Sequence, residues 1–341
     1  MINQARYPSI DIGGIPSREI NNTDALCPAP LVSVAMITYN HEPYIAQAIE
    51  GVLAQKTDFP IELIIGEDCS TDYTYQTVME YQKRHAGIIR VITSSHNVGA
   101  KKNYLRTLGV CRGKYTAACD GDDYWIDPYK LQKQVDFLEA NEDYVLLGHS
   151  AVKVLEEEGF GTFHTMYEDA PDHDFDTGYL MRCNPIPTLA AMWRNGLVTS
   201  FPNIWMHGYG GDRQLWLLLS QYGKCRFIND VVGVYRVNGG GITAQITGNR
   251  EKIVGGCLDA IATTKEWDAF FDYEYHDDAK VQIHRKALMV VVLSVKRLRL
   301  KRAIEHVGSV KLERVKGWRR KLTFGLLRVI KPLVCPASEI K

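Results

Sequence analysis

The chain has 341 residues, 45% of them hydrophobic and 23% charged, an ordinary globular composition that excludes intrinsic disorder and allows a full core. Formal net charge is zero, yet residues 285–341 hold 16 of the 40 Lys and Arg and only 3 of the 40 acids (Glu305, Glu313, Glu339), so an acidic body precedes a basic tail. The eight cysteines are scattered, with no CxxC pair and no Cys/His grouping of zinc type, and a reducing compartment is their simplest home.

The start, "MINQARYPSIDIGGIPSREINN", lacks the apolar core of a secretory signal, so the protein is expected not to be exported. Residues 1–29 are polar and aperiodic and read as an extension that is loose or lies over the surface. From Leu31 to Ile37 runs a nearly continuous apolar stretch, a strand buried on both faces. An amphipathic helix with Ile45, Ala48, Ile49, Val52 and Leu53 on one side follows it. "IELIIGED", "IRVITSS" and "KYTAACD" repeat the strand, each separated by a helical segment ("DYTYQTVMEYQKRH", "GAKKNYLRTLGVC"). Such alternation predicts an α/β fold, a mostly parallel sheet flanked by helices on both faces.

After "DGDDYW" a helix is expected, with Asp127 as cap and Pro128 in its first position. Residues 144–211 mix strand-like pieces with Pro- and Gly-bearing loops, then "DRQLWLLLSQYG" reads as a helix with Leu215, Leu218, Leu219 and Tyr222 on one face. "CRFINDVVGVYRV" reads as a last strand pair, and the chain from about residue 250 onward as helix that turns strongly basic. Its longest apolar run, "ALMVVVLSV" at 287–295, is about half of the ~20 residues a bilayer span needs. The expected division is an extension (1–29), an α/β domain (30–248) and a helical basic C-terminal region (249–341).

In a parallel α/β sheet ligands bind beyond the carboxyl ends of the strands. The first strand here ends in Thr38, Tyr39, Asn40, His41 and Glu42, the second in Glu67, Asp68, Cys69, Ser70, Thr71 and Asp72, and the fourth in Asp120, Gly121, Asp122 and Asp123. Clustered carboxylates raise one another's pKa unless a cation sits among them, and hard Mg²⁺ or Mn²⁺ ions arrive with phosphate. A metal joining Asp122 to a ligand diphosphate accounts for the crowding, with Gly121 keeping the turn open. Helix capping is the alternative, but Asp123 or Asp127 alone would serve for that.

Asp68 and Asp72 can accept from a nucleobase and a ribose, although "STD" is also an ordinary capping sequence. Neither GxGxxG nor GxxxxGK[ST] occurs, which favours phosphate binding through a metal. Asp212 follows the Gly-rich "HGYGG" and opens a helix, as a cap or as a general base where a loop closes over substrate. His41 and His207 read as surface residues, and Trp125, Trp193, Trp205 and Trp216 as core.

In this order, "VSVAMITYNHEPYIAQAIEGVLAQ", "EDCSTDYT", "NVGAKKNYL", "GKYTAACDGDDYW", "DPYKL" and "GGDRQLW" resemble family 2 glycosyltransferases of the GT-A fold, over roughly residues 31–240. The resemblance implies a nucleotide-sugar site lined by Thr38, Asn40 and Glu42, with Asp68 on the base, Asp120 on the ribose side and Asp122 on the metal. It also implies inverting transfer, Asp212 being the base that deprotonates the acceptor hydroxyl. Asn238 stands where a number of relatives have histidine near the metal, and Arg236 is expected to reach the phosphates.

The expected function is therefore transfer of a sugar from a nucleotide-diphosphate-sugar, with Mn²⁺ or Mg²⁺, to a glycan or lipid-linked acceptor in surface polysaccharide biosynthesis. A nucleotidyltransferase and a catalytically weak nucleotide-sugar or glycan-binding protein of the same fold are the alternatives. Residues 285–331 suit an anionic membrane surface, which places the protein in the cytoplasm, peripheral on the inner face of the cell membrane. Packing on the acidic body, or a homodimer contact, is the competing reading of the tail; nucleic acid is not an expected partner.

Overall fold

The computed structural model describes residues 7–21, 24–155, 163–167, 170–208, 210–239, 241 and 249–295. Its elements are β1 (Arg18–Ile20), β2 (Val32–Thr38), α1 (Ile45–Leu53), β3 (Ile61–Glu67), α2 (Thr74–Arg84), β4 (Ile89–Thr93), α3 (Ala100–Leu108), β5 (Tyr115–Ala118), β6 (Tyr124–Trp125) and α4 (Lys130–Ala140). Then come β7 (Tyr144–Leu155), β8 (Phe163–Thr165), β9 (His173–Phe175), α5 (Thr177–Arg182), β10 (Ala191–Arg194), α6 (Asp212–Leu219), β11 (Lys224–Val237), α7 (Arg250–Phe270) and α8 (His276–Val295).

The strands form one mixed sheet in the order β1-β4-β3-β2-β5-β10-β7-β11-β6, with β8 on β7 and β9 on β11. The β4-β3-β2-β5 half is parallel, as the alternation predicts. Beyond it β10 runs antiparallel to both β5 and β7, which makes the sheet mixed rather than mostly parallel. Along β2, Val34 and Met36 pack into one core with α1, α2 and α4, while Ile37 faces the other core with α3, α6 and α7. Side chains alternating between two covered faces explain why the strand reads as an unbroken apolar run.

Residues 1–29 do more than lie on the surface, because Arg18–Ile20 pairs antiparallel with β4 and covers that edge. The expected last strand pair is one long strand, β11, whose register shifts near Ile228, Val231 and Val234 mimic a break in the sequence pattern. Helix α4 starts at Lys130 rather than Pro128; Asp127 Oδ1 accepts from the Tyr129 N–H at 2.9 Å, one turn earlier. Tyr222 lies beyond the end of α6 and is 49% exposed, off the expected face.

At the amino ends of the strands, Glu62 is buried in β3 and takes hydrogen bonds from Ser33 Oγ (2.6 Å), Arg90 Nη1 (3.0 Å) and Arg112 Nη2 (2.6 Å). Burial alone would raise its pKa, but Arg112, Ser33 and Arg90 outweigh that and hold it below the ordinary carboxylate range. Arg90 also reaches Glu19 at 2.7 Å, so this network ties β1, β3 and β4 together.

Candidate active site

At the other, carboxyl end of the sheet the register brings the acidic turn against β2. Thr38 pairs with Glu67 across β2 and β3, while β5 is carried on past Ala118 by Cys119 N–H to Ala35 O (3.1 Å) and Gly121 N–H to Ile37 O (2.9 Å). A Cβ on Gly121 would lie 2.7 Å from Thr38 Oγ1 and 3.1 Å from His41 Nδ1. Glycine is therefore required for close packing on β2 rather than for an open turn.

Asp122 is the acid whose contacts leave it facing the crevice. Its Oδ2 accepts from Asn238 Nδ2 at 2.9 Å and lies 3.8 Å from His41 Nε2. Asp123 is buried, accepts the Arg236 N–H at 2.8 Å, and has a pKa pushed well up by burial and then by Asp122 and Asp120. Asp120 is pushed up to about 8, first by burial and then by the charges of Asp122 and Asp212. Asp212 thus lies close enough to the acidic turn for its charge to be felt at Asp120.

Arg236, expected at the phosphates, is turned inward. Its Nη1 donates to the Asp122 carbonyl at 2.7 Å and its Nη2 to Gln47, and the guanidinium lies over the rings of Tyr124 (4.3 Å) and Tyr44 (5.2 Å). It organises the turn that presents Asp122.

The loops after β2 and β3 lock onto one another. Asn40 Oδ1 accepts from Thr71 N–H at 2.8 Å, and its own N–H donates to Ser70 Oγ at 3.0 Å. Glu42 N–H donates to Asp72 Oδ2 at 3.1 Å, while Glu42 Oε2 accepts from Tyr73 N–H at 3.2 Å. Asp72 also takes Thr74 N–H at 3.0 Å. Burial would raise its pKa, but the Thr74 hydroxyl and N–H and the Glu42 N–H outweigh it and keep the group ionised, so this acid is engaged in the loop. Asn40 (φ 54°) and Cys69 (φ 60°) both hold left-handed backbone here, a conformation uncommon for residues with a side chain.

Asp68 is buried and accepts the Val98 and Gly99 N–H groups, each at 2.9 Å, so its carboxylate fixes the entry to α3. Arg106 Nη2 approaches it at 3.4 Å. Thr38 and Asp68 are both buried and are joined by Asp68 N–H to Thr38 O at 3.0 Å.

Asp212 opens α6. Its Oδ1 accepts the Arg213 N–H at 2.7 Å and its Oδ2 accepts from Asn184 Nδ2 at 2.8 Å. Burial raises its pKa, partly offset by those two donors and the Arg213 charge. Lys101 of α3 donates to the carbonyls of Trp205 (2.8 Å) and His207 (2.6 Å), tying the loop before Asp212 to α3. Burial lowers the Lys101 pKa to about 8 against the pull of Asp259 and Asp212.

Asn184 and Lys101 escaped sequence reading. Asn184 lies in the irregular 144–211 stretch and meets Asp212 from 28 positions away, and the adjacent pair Lys101 and Lys102 gives no sign of which one turns inward. His207 is exposed and pairs with Glu266 at 2.8 Å, as a surface residue would, whereas His41 faces Asp122. The four tryptophans are buried, as expected of core.

Among the described residues no group of three or more His, Cys, Asp or Glu converges as a metal cage. Asp122 offers one carboxylate beside the His41 imidazole, and Thr38 Oγ1 and His41 Nδ1 are buried without partners. That donor set fits a Mg²⁺ or Mn²⁺ ion that keeps phosphate and water ligands, which is the usual habit of such ions.

The mixed sheet with its parallel β4-β3-β2-β5 half, flanked by helices, is the GT-A class of glycosyltransferase fold. Mannosyltransferase PcManGT from Pyrobaculum calidifontis, solved in complex with GDP-Man and Mn²⁺, has the same fold, with a TM-score of 0.59 at 18% identity over 90% of this chain and 84% of that one. Residues 33–194 match the family model of glycosyl transferase family 2. The chain is also 30% identical over 225 residues, 63% of this chain and 80% of the relative, to the UDP-Glc:alpha-D-GlcNAc-diphosphoundecaprenol beta-1,3-glucosyltransferase WfaP of Escherichia coli. It belongs to glycosyltransferase family 2. An uncharacterised protein of Mycobacterium tuberculosis is 42% identical over 128 residues, 38% of this chain, and the match spans only 37% of that relative's length.

Proposed function

We propose that this chain transfers a sugar from a nucleoside-diphosphate-sugar to a hydroxyl of a glycan or lipid-linked saccharide, with inversion, in the assembly of a surface polysaccharide. The observation that carries the reading is the Asp122 carboxylate, held by Asn238 Nδ2 and 3.8 Å from the His41 imidazole, together with a second carboxylate, Asp212, held by Asn184 and the Arg213 N–H. Similarity to WfaP, whose name specifies a diphosphoundecaprenol-linked acceptor, supports the lipid-linked class.

On this reading the nucleotide lies over Thr38, Asn40, Glu42 and Asp68, with Asp120 towards the ribose. Asp72 and Arg236 hold the loop and the turn beside it, and are the remaining residues of the proposed donor site. Asp122 and His41 would hold Mn²⁺ or Mg²⁺, with Asn238 orienting the carboxylate through its amide. The chemistry such an ion supplies is charge neutralisation at the departing diphosphate. Asp212, oriented by Asn184 and the Arg213 N–H, takes the proton of the acceptor hydroxyl, whose oxygen attacks the anomeric carbon opposite the leaving group. A single displacement at that carbon inverts it.

The domain division follows the same reading: residues 30–248 carry the transfer, with residues 7–21 bracing the sheet edge. Among the described residues no helix is long and apolar enough to cross a membrane. Action at the cytoplasmic face of a membrane, through the basic residues of 285–331, is part of the proposal; of these, 296–331 lie outside the described residues.

Hydrolysis of a panel of nucleotide-sugars with Mn²⁺ present tests this reading. Release of nucleoside diphosphate from at least one donor is expected, lost in Asp122→Ala; full activity in that variant would remove the metal assignment.

A further inference from the structure

Between Met206 and Asp212 the chain passes through Gly208 (φ 70°) and Gly210 (φ 75°), both in left-handed backbone. Glycine enters that region freely, so the segment has little conformational bias of its own. Groups from other elements fix it, and they meet on two carbonyls. Lys101 Nζ donates to Trp205 O at 2.8 Å and to His207 O at 2.6 Å, and Gln214 Nε2 of α6 donates to His207 O at 2.9 Å.

Lys101 is itself well anchored. It lies in the first turn of α3, whose entry Asp68 fixes through the Val98 and Gly99 N–H groups, each at 2.9 Å. Tyr104, three positions on and so on the same side of the helix, lies parallel to the Trp205 ring with centroids 6.3 Å apart. The Trp205 ring is buried, and a Cβ on Gly211 would lie 2.8 Å from its Cζ2. Helix α3 thus grips Trp205 and His207, and Trp205 abuts the residue before Asp212. Upstream, the Pro8 carbonyl accepts the Asn203 N–H at 2.9 Å and the Ile10 N–H donates to Phe201 O at 2.8 Å, so the segment is held at that end too.

A charged donor makes hydrogen bonds roughly twice as strong as a neutral one, so the Lys101 ammonium holds the two carbonyls better than an amine would. Burial lowers its pKa to about 8, against the charges of Asp259 of α7 and Asp212 of α6. His207, on the same segment, pairs with Glu266 of α7 at 2.8 Å.

We infer that Lys101 is a positioning residue for the transfer step: by holding Trp205 O and His207 O it fixes the segment that leads into α6, and with it the place of Asp212. Loss of the ammonium, by substitution or at alkaline pH, frees the segment and lowers turnover without weakening donor binding at the loops after β2 and β3. The inference rests on the reading of Asp212 as base and adds the group that places it.

Two readouts on the full chain test this. Amide hydrogen exchange of the ligand-free protein reads the hold itself, through the Trp205, His207 and Leu215 N–H groups, which donate to Pro202 O, Ile204 O and Gly211 O. In Lys101→Met, which keeps an apolar stem and removes the donor, these should exchange at least about tenfold faster while β2, β3 and β4 are unchanged. Turnover of UDP-glucose, UDP-N-acetylglucosamine and GDP-mannose with Mn²⁺, beside calorimetric affinity for each, reads the role. At neutral pH, Lys101→Met should turn over about tenfold more slowly, with donor affinity within about twofold of the intact protein. Turnover of the intact protein should fall as pH rises through about 8. Lys101→Arg, which stays charged, should recover most of the neutral rate and move that fall to higher pH. Should Lys101→Met not fold, the Lys101→Arg profile decides by itself. Unchanged exchange in Lys101→Met would overturn the hold. An alkaline fall at the same pH in Lys101→Arg, or donor affinity lost in step with turnover, would overturn the positioning role and leave the transfer reading in place. Neither binding nor turnover of these donors by the intact protein would remove the transfer reading and the inference with it.

Discussion

Asn184 donates its amide to Oδ2 of Asp212 at 2.8 Å, while the Arg213 N–H holds Oδ1 at 2.7 Å, so both oxygens of the proposed base are oriented from outside the donor crevice. Removing the Asn184 donor in Asn184→Ala takes away one of the groups that offset burial, and the Asp212 pKa rises further. A base must be ionised, so the acid limb of the kcat profile moves to higher pH, with kcat at neutral pH falling about tenfold for the loss of a charge-assisted hydrogen bond. A pH-rate profile of the variant checks the direction of the shift.

Asn238 Nδ2 donates to Asp122 Oδ2 at 2.9 Å, so the amide N–H is spent on the carboxylate. Orientation of the carboxylate is its expected role, so Asn238→Ala should raise the Mn²⁺ concentration for half-maximal donor hydrolysis by roughly 10-fold to 100-fold. Metal titrations of the two proteins measure this.

The Arg236 guanidinium is fixed between Tyr44 and Tyr124 and spends its hydrogen bonds on Asp122 O and Gln47. Lysine lacks both the planar face and the fork, so Arg236→Lys should cost about 2 kcal/mol or more in stability and lower activity through a displaced Asp122. Urea denaturation beside an activity assay tests it; a variant of unchanged stability with weakened donor binding would instead place Arg236 on the phosphates.

Gly121→Ala drives a methyl group into Thr38 Oγ1, 2.7 Å away, and His41 Nδ1, 3.1 Å away. Overpacking of this kind costs about 1–3 kcal/mol, a fall in Tm on the order of 2–4 °C per kcal/mol in a domain of this size. Thermal unfolding of the variant reads it directly.

Glu62 has a folded pKa below its unfolded value, so its contribution is present above the unfolded pKa and is lost as pH falls through the folded one. Glu62→Gln should therefore lower stability by about 3 kcal/mol at neutral pH and flatten the loss of stability below roughly pH 4.5. Denaturation midpoints of the two proteins across that range provide the comparison.

The parallel half of the sheet was legible in the sequence because β2, β3 and β4 are buried on both faces and each is followed by a helix of clear period. The mixed half was not: β10 is four residues long within Pro- and Gly-bearing loops, and the bulges of β11 break its alternation. In the same way the crowding of Asp120, Asp122 and Asp123 marked a site, but nothing local distinguished the outward Asp122 from the buried Asp123. That difference is made by Arg236 and Asn238, more than 110 positions along the chain. Asp72 and Arg236 carry suitable chemistry for a donor, and both also make long-range hydrogen bonds that no motif encodes.

Separation of donor binding from transfer in Asp212→Asn tests the central claim most directly. Calorimetry with a hydrolysable nucleotide-sugar and Mn²⁺, beside turnover of the same sample, should give donor affinity close to that of the intact protein and a kcat lower by about 10²-fold to 10⁴-fold. Donor affinity lost with turnover intact would contradict the account, because the base would then have to lie elsewhere.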